Sequence, residues 1–300
     1  MSLLLTPGPV PIPPFVAEAL AKPVIHHRTT EFRTFYNDLL DDLRYLFQTE
    51  GGTGTMIGSG TFGVECALYS LFRPEDEVLV VEMGKFSERW GSYGVVRGLQ
   101  THRLSLDWGQ SPTIEGIQIA LREMRQPKGL VLTHSETATG AICDLEEIAL
   151  AIKSEWPDIL IVVDGITSIG ALPFYMDAWQ VDAAVTASQK ALMNPAGLVA
   201  FGLSEAAQAA LQPTHSGDFQ NWYNYLKSSE TGDYPFTAPV QLLFGVGVAL
   251  QSIRLKGLPA VWQATHHAAR VFRDGLKARG GVLFPTKPSD SLSAFSFPDR

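Results

Sequence analysis

Cysteine is scarce. Cys66 and Cys143 are the only two in 300 residues, and no C-x-x-C spacing occurs, so neither a disulfide framework nor a zinc ribbon can be read. Basic residues are outnumbered, 23 Lys+Arg against 31 Asp+Glu, for a net charge of −8. That balance argues against a nucleic-acid partner and leaves small anions open, since they need only a local pocket. No apolar run approaches the roughly 18–20 residues of a membrane span. The opening MSLLLTPGPVPIPP has too short an apolar run, and no basic stretch, for a secretory leader. Internal repeats and low-complexity segments are also missing. The histidine pairs His26-His27 and His266-His267 are adjacent, and neighbours on a strand or helix point apart, so no metal site is expected from them. These absences predict a cytoplasmic protein with no membrane, metal or nucleic-acid role.

What is present is an apolar content of 45% with 18% charged residues, the balance of a folded globule. The length suits one large domain or two unequal ones. Pro7, Pro9, Pro11, Pro13 and Pro14 keep the start out of helix or central strand, which predicts an extended arm over 1–15. FRTFYNDLLDDLRYLF (32–47) repeats apolar residues at three and four, an amphipathic helix. Short apolar runs then follow at 78–81, 129–134, 159–164, 181–188 and 197–203. Between them lie the helical patterns SERWGSYGVVRG, IEGIQIALREM and LEEIALAIKSEW. Such alternation predicts an α/β fold whose mostly parallel central sheet is sandwiched by helices. Past Pro239 the pattern is helical, and a strand-like stretch returns at 291–297. A large domain over 16–255 and the start of a smaller lobe over 256–300 are expected.

Three stretches carry chemistry. In GGTGTMIGSGTFGVECAL (51–68) a glycine-rich turn opens into a helix near Thr61, with Ser59 and Thr61 adding hydroxyls, which makes an anion site. Gly58-x-Gly60-x-x-Gly63 with Glu82 also fits a dinucleotide fingerprint, although the strand before it is poor and Glu82 reads better as a strand-end surface acid. In ILIVVDGITSIG (159–170) Asp164 ends an apolar strand, where open sheets bind ligands and where an N-cap is the alternative use. In AAVTASQKALMNPAGLVAF (183–201) Lys190 lies between apolar runs. Desolvation there would lower its pKa and make it a nucleophile, unlike an ordinary surface lysine. Together these three supply what pyridoxal 5'-phosphate needs: a lysine for a Schiff base, an acid for the pyridine nitrogen, and a helix start for the phosphate.

At this point the chain resembles the class V aminotransferases of fold type I, the group of alanine–glyoxylate, serine–pyruvate and short bacterial aspartate transaminases. The resemblance rests on TPGPV (6–10), HHRTTEF (26–32), GSGTFGVECAL (58–68), GKFSERWG (84–91), LTHSETATG (132–140), VDGITSIG (163–170), SQKALMNPAG (188–197) and DYPFTAPV (233–240), in family order. It implies that Lys190 carries the cofactor and shuttles a proton, that Asp164 pairs with the pyridinium, and that Phe86 stacks on the ring. Ser59, Gly60, Thr61 and Gln189 would hold the phosphate. Tyr234 and Thr237 would reach it from a neighbouring subunit, in a homodimer with shared active sites. Gly8 and Pro9 would line the substrate side.

The sequence departs from the family in two places. Ala138 stands where many members have a hydroxyl residue, and Thr137 is the expected substitute. The family's substrate-carboxylate arginine falls in a motif past residue 300, so either the sequence is a fragment or the substrate is anchored differently. Arg28 is a candidate anchor for a second acidic group, with a salt bridge as its alternative role. The expected activity is ping-pong transamination between alanine, serine or aspartate and glyoxylate or pyruvate. The alternatives are a lyase or desulfurase on the same fold, disfavoured by Gln189 before the lysine and by the missing reactive cysteine, and an NAD-dependent oxidoreductase using Gly58–Gly63.

Overall fold

The computed structural model describes residues 4–213 and 217–298. The outermost residues of the expected arm (1–3) and of the expected small lobe (299–300) lie outside them. The chain opens with α1 (Pro14–Leu20), α2 (Thr30–Phe47), β1 (Gly52–Gly58), α3 (Gly60–Leu71), β2 (Glu77–Glu82), α4 (Ser87–Val96), β3 (Gln100–Ser105), α5 (Ile114–Arg122) and β4 (Pro127–Thr133). It continues through α6 (Leu145–Glu155), β5 (Leu160–Asp164), β6 (Ala183–Ala187), β7 (Gly197–Leu203), α7 (Glu205–Ala210) and α8 (Trp222–Ser229). Last come α9 (Val240–Lys256), α10 (Leu258–Lys277), β8 (Val282–Leu283) and β9 (Phe295–Ser296).

The seven-stranded sheet has the order β1-β7-β6-β5-β4-β2-β3. Its pairs from β6 to β3 are parallel, while β7 runs antiparallel to both β6 and β1. All strands but β7 therefore point one way. The expected mostly parallel sheet is present. The alternating sides of β7 show its two covers. Gly202 lies against Phe47 of α2, whereas Val199 meets Gly63 of α3 and Phe201 stacks on Trp222 of α8 with ring centroids 4.3 Å apart. Residues 199 and 201 share a face and 202 takes the other, so helices pack on both sides. The central strands have no polar face to offer water: LIVVD, AAVTA and GLVAFGL are buried almost throughout.

The arm is shorter than expected. Helix α1 begins at Pro14, because a proline at the first helical position gives up only an amide that has no partner there. The stretch 291–297 pairs only over Phe295–Ser296, with Val282–Leu283. Gly257 (φ +79°) separates α9 from α10, and the residues beyond return to the sheet's edge loops. Ile142 N donates to Lys287 O (3.1 Å), Ser289 N to Gly140 O (2.7 Å) and Thr286 N to Gly109 O (2.9 Å). No helix among the described residues is long and apolar enough to cross a membrane.

Candidate active site

Because β1, β2, β4, β5 and β6 point the same way, their carboxyl ends deliver Ser59, Phe86, Thr137, Asp164 and Lys190 to one edge of the sheet. This is the edge where open α/β sheets bind ligands. A cavity of about 270 Å3 opens there, lined by Gly8, Pro9, Ser59, Gly60, Thr61, Phe86, Thr137, Asp164, Gln189 and Lys190, all expected from sequence. Ser135, Ile166, Thr167 and Ala196 complete it. A larger cavity of about 490 Å3 adjoins it, sharing Thr167 and Lys190 and bordered by Pro7, Pro11 and Lys256.

Lys190 sits in a tight loop between β6 and β7. Ser188 ties that loop together: its amide donates to Leu198 O (2.9 Å) and its hydroxyl to Pro195 O (2.6 Å). The Lys190 amine donates to Pro7 O at 3.0 Å, and Val10 N reaches Gln189 O at 3.2 Å, so the arm lies against the lysine. A Cβ on Gly8 would fall 2.5 Å from Lys190 Nζ, so a side chain there would have to displace the lysine amine. Burial lowers the Lys190 pKa, and the Asp164 carboxylate opposes that shift without cancelling it.

Asp164 is buried at the end of β5. Its Oδ1 accepts from Ile166 N (3.0 Å) and its Oδ2 from Trp90 Nε1 (3.3 Å). Burial is the main cause that pushes its pKa up to about 6, and Glu136 adds to the rise; the Ile166 and Trp90 donors and Lys190 work against it. The acid can therefore share a proton with a ligand nitrogen.

Ser59 caps α3 by accepting from Phe62 N (3.3 Å), which aims the helix start into the cavity. Arg89 donates to Thr61 Oγ1 (3.3 Å), and its guanidinium lies 4.8 Å from the centroid of the Phe86 ring. The Gln189 side chain lines the cavity with its Oε1 buried and unpartnered. A half-buried amine, a buried acid beside an indole donor, an aromatic face and a capped helix start with two hydroxyls are the donor set that pyridoxal phosphate requires, so the residues present fit that group.

Three expected site residues are placed elsewhere. Tyr234 is fully buried, its ring packed between Tyr36 and Tyr225 with centroids 5.7 and 5.8 Å away. Thr237 is exposed and lies outside the cavity. Arg28 lies outside the cavity, where it donates to Tyr234 O (2.8 Å) and approaches Asp233 at 4.0 Å.

Glu82 is a further correction. It is buried, paired with Arg103 at 3.2 Å and hydrogen-bonded by Ser105 at 2.8 Å, and is not a surface acid. Strands β1 and β2 lie far apart in the sheet, so β1-α3-β2 is not the adjacent βαβ unit that a dinucleotide fingerprint demands. Sequence reasoning missed Trp90 and Glu136, although both fall within motifs quoted above, at GKFSERWG and LTHSETATG.

Residues 15–299 match the family described as Aminotransferase class-V. The serine–glyoxylate aminotransferase of Methylorubrum extorquens is 32% identical over 99% of this chain and 77% of its own. A Synechococcus protein named as the small subunit of a soluble hydrogenase is 34% identical over 98% of this chain and 76% of its own. Among solved structures, the Thermus thermophilus aspartate aminotransferase of subgroup IV superposes with a TM-score of 0.93 at 34% identity, covering 99% of this chain and 83% of that one. With lysine, acid and helix start gathered on one fold-type-I scaffold, the chain belongs to the class V aminotransferases, the pyridoxal-phosphate-dependent transaminases.

Proposed function

We propose that the chain moves an amino group between a small amino acid (alanine, serine or aspartate) and a 2-oxo acid (glyoxylate or pyruvate) by ping-pong exchange. The observation that carries this reading is one cavity lined by Lys190, Asp164 and the start of α3. Pyridoxal phosphate, when bound, supplies an aldehyde for amines and an electron-accepting ring. Lys190 Nζ would hold it and would move a proton to and from the reacting carbon. Its lowered pKa keeps the amine unprotonated more readily. The Asp164 carboxylate would hold a proton on the pyridine nitrogen. Phe86 would cover one face of the ring, while Ser59, Gly60, Thr61 and Gln189 would hold the phosphate. Gly8 and Pro9 close the substrate side and exclude water, with the Pro7 carbonyl orienting the lysine.

Serine–glyoxylate and aspartate–glyoxylate activities are in the names of relatives at 31–32% identity, which supports the substrate range. A desulfurase is disfavoured because Cys66 and Cys143 are both buried and burial pushes their thiols far up. We further propose a homodimer in which the partner's Thr237 reaches the phosphate, and a chain divided into an arm, a large domain and the start of a smaller lobe at residue 256. The test is stoichiometric addition of each amino acid to cofactor-loaded protein without acceptor. The visible cofactor absorbance should fall with one of alanine, serine or aspartate and recover with glyoxylate or pyruvate. No response to any donor would contradict the reading.

A further inference from the structure

Glu136 has no exposed surface and no part in the reading above. Its Oε2 accepts from the Ser87 amide and the Ser87 hydroxyl, both at 2.9 Å. Its Oε1 accepts from the amides of Phe86 (3.3 Å) and Ala138 (2.9 Å). None of these donors is a cation, so a buried carboxylate is answered by dipoles alone, and most of them belong to the turn that opens α4. Burying such a group costs several kcal/mol unless its hydrogen bonds are made, and bonds to a charged acceptor are the strong kind.

The turn is locked from its own side as well. Ser87 Oγ accepts from the amides of Met83 (2.8 Å) and Gly84 (3.0 Å). A Cβ on Gly84 would lie 2.6 Å from Glu136 Cγ, so the backbone presses directly on the carboxylate. Two site contacts depend on where this turn sits. Phe86 places its ring in the cavity, and one helical turn later Trp90 donates to Asp164.

We infer that Glu136 is a positioning residue, whose carboxylate fixes residues 84–87 so that Phe86 faces the cofactor ring and Trp90 meets Asp164. The inference rests on the cofactor reading. Glu136→Gln keeps the shape but turns an NH2 group towards amide donors. With the protein reconstituted from free pyridoxal phosphate, this variant should bind the cofactor about tenfold more weakly, the order of one lost charged hydrogen bond. It should also weaken the visible circular dichroism of the bound ring.

The loss should shrink in a Phe86→Ala background, because Glu136 acts partly through that ring and partly through the Trp90 bond to Asp164. Should Glu136→Gln fail to fold, Ser87→Ala removes one donor and is expected to shift affinity the same way by a smaller factor, again less so when Phe86 is absent. Additive losses in the double variant, or a lowered melting temperature of the cofactor-free protein with affinity and dichroism unchanged, would overturn the proposal. Failure of the wild-type chain to bind the cofactor would sink the cofactor reading itself, and this proposal with it.

Discussion

Asp164 gives up stability for function. Its carboxyl titrates at about 6 in the folded chain, above the usual 3.8, chiefly because of burial. The sign follows from linkage: with the folded pKa raised, the unfolded state releases its proton first, so this acid's contribution falls as pH rises from about 4 to about 6 and stays low above that. Asp164→Asn should therefore stabilise the cofactor-free protein at pH 8 by about 1–2 kcal/mol, allowing for a weakened Trp90 bond, with the gain gone near pH 4. Thermal melts at the two pH values measure it. The same substitution should abolish transamination. Gly8→Ala is argued from space: a methyl 2.5 Å from the lysine amine must displace either the arm or Lys190. A loss of at least tenfold in kcat with folding intact is expected from an error of about 1 Å in a reacting group, and steady-state kinetics will show it.

At the scale of elements, α3 must hold its start against the cavity. Ser59→Ala removes the cap on Phe62 N and should cost about 1 kcal/mol in denaturant unfolding. Gly63→Ala would place a Cβ 2.5 Å from Val199 and 2.8 Å from Val185, prising the helix off β6 and β7. A loss of about 1–3 kcal/mol, with weaker binding of inorganic phosphate, is the expected outcome. Elements with a strong period were legible. LIVVD and GLVAFGL read as buried strands and FRTFYNDLLDDLRYLF as a helix, and each forms over nearly those residues. Strand β1 was harder, because Gly54 is covered by the ring of Phe201, whose bulk lies on another strand. Polar β3, half-exposed at the sheet edge, offered no alternation to find.

Across the whole molecule the site residues that were legible lie within single motifs: Gly58–Gly63, Asp164, and Lys190 with its neighbours. Those that were not act across the chain. Trp90 meets Asp164 at a separation of 74 residues, and Glu136 meets Ser87 at 49. Topology creates such pairs, and no local period announces them. The burial of Tyr234 belongs to the same class, since only the packed core shows that Tyr36 and Tyr225 enclose it.

The proposed sharing of active sites between subunits makes a molecular-scale prediction. Co-expressed Lys190→Ala and Thr237→Ala chains should form hybrids with one intact site and recover activity that neither variant shows alone; no recovery would contradict a site completed by the partner. The covalent hold of Lys190 on the cofactor can be read by borohydride reduction of the loaded protein followed by peptide mass spectrometry. A phosphopyridoxyl adduct on the peptide containing Lys190, absent in Lys190→Ala, is the expected result. An adduct confined to other lysines, or none at all, would rule out Lys190 as the residue that carries the cofactor.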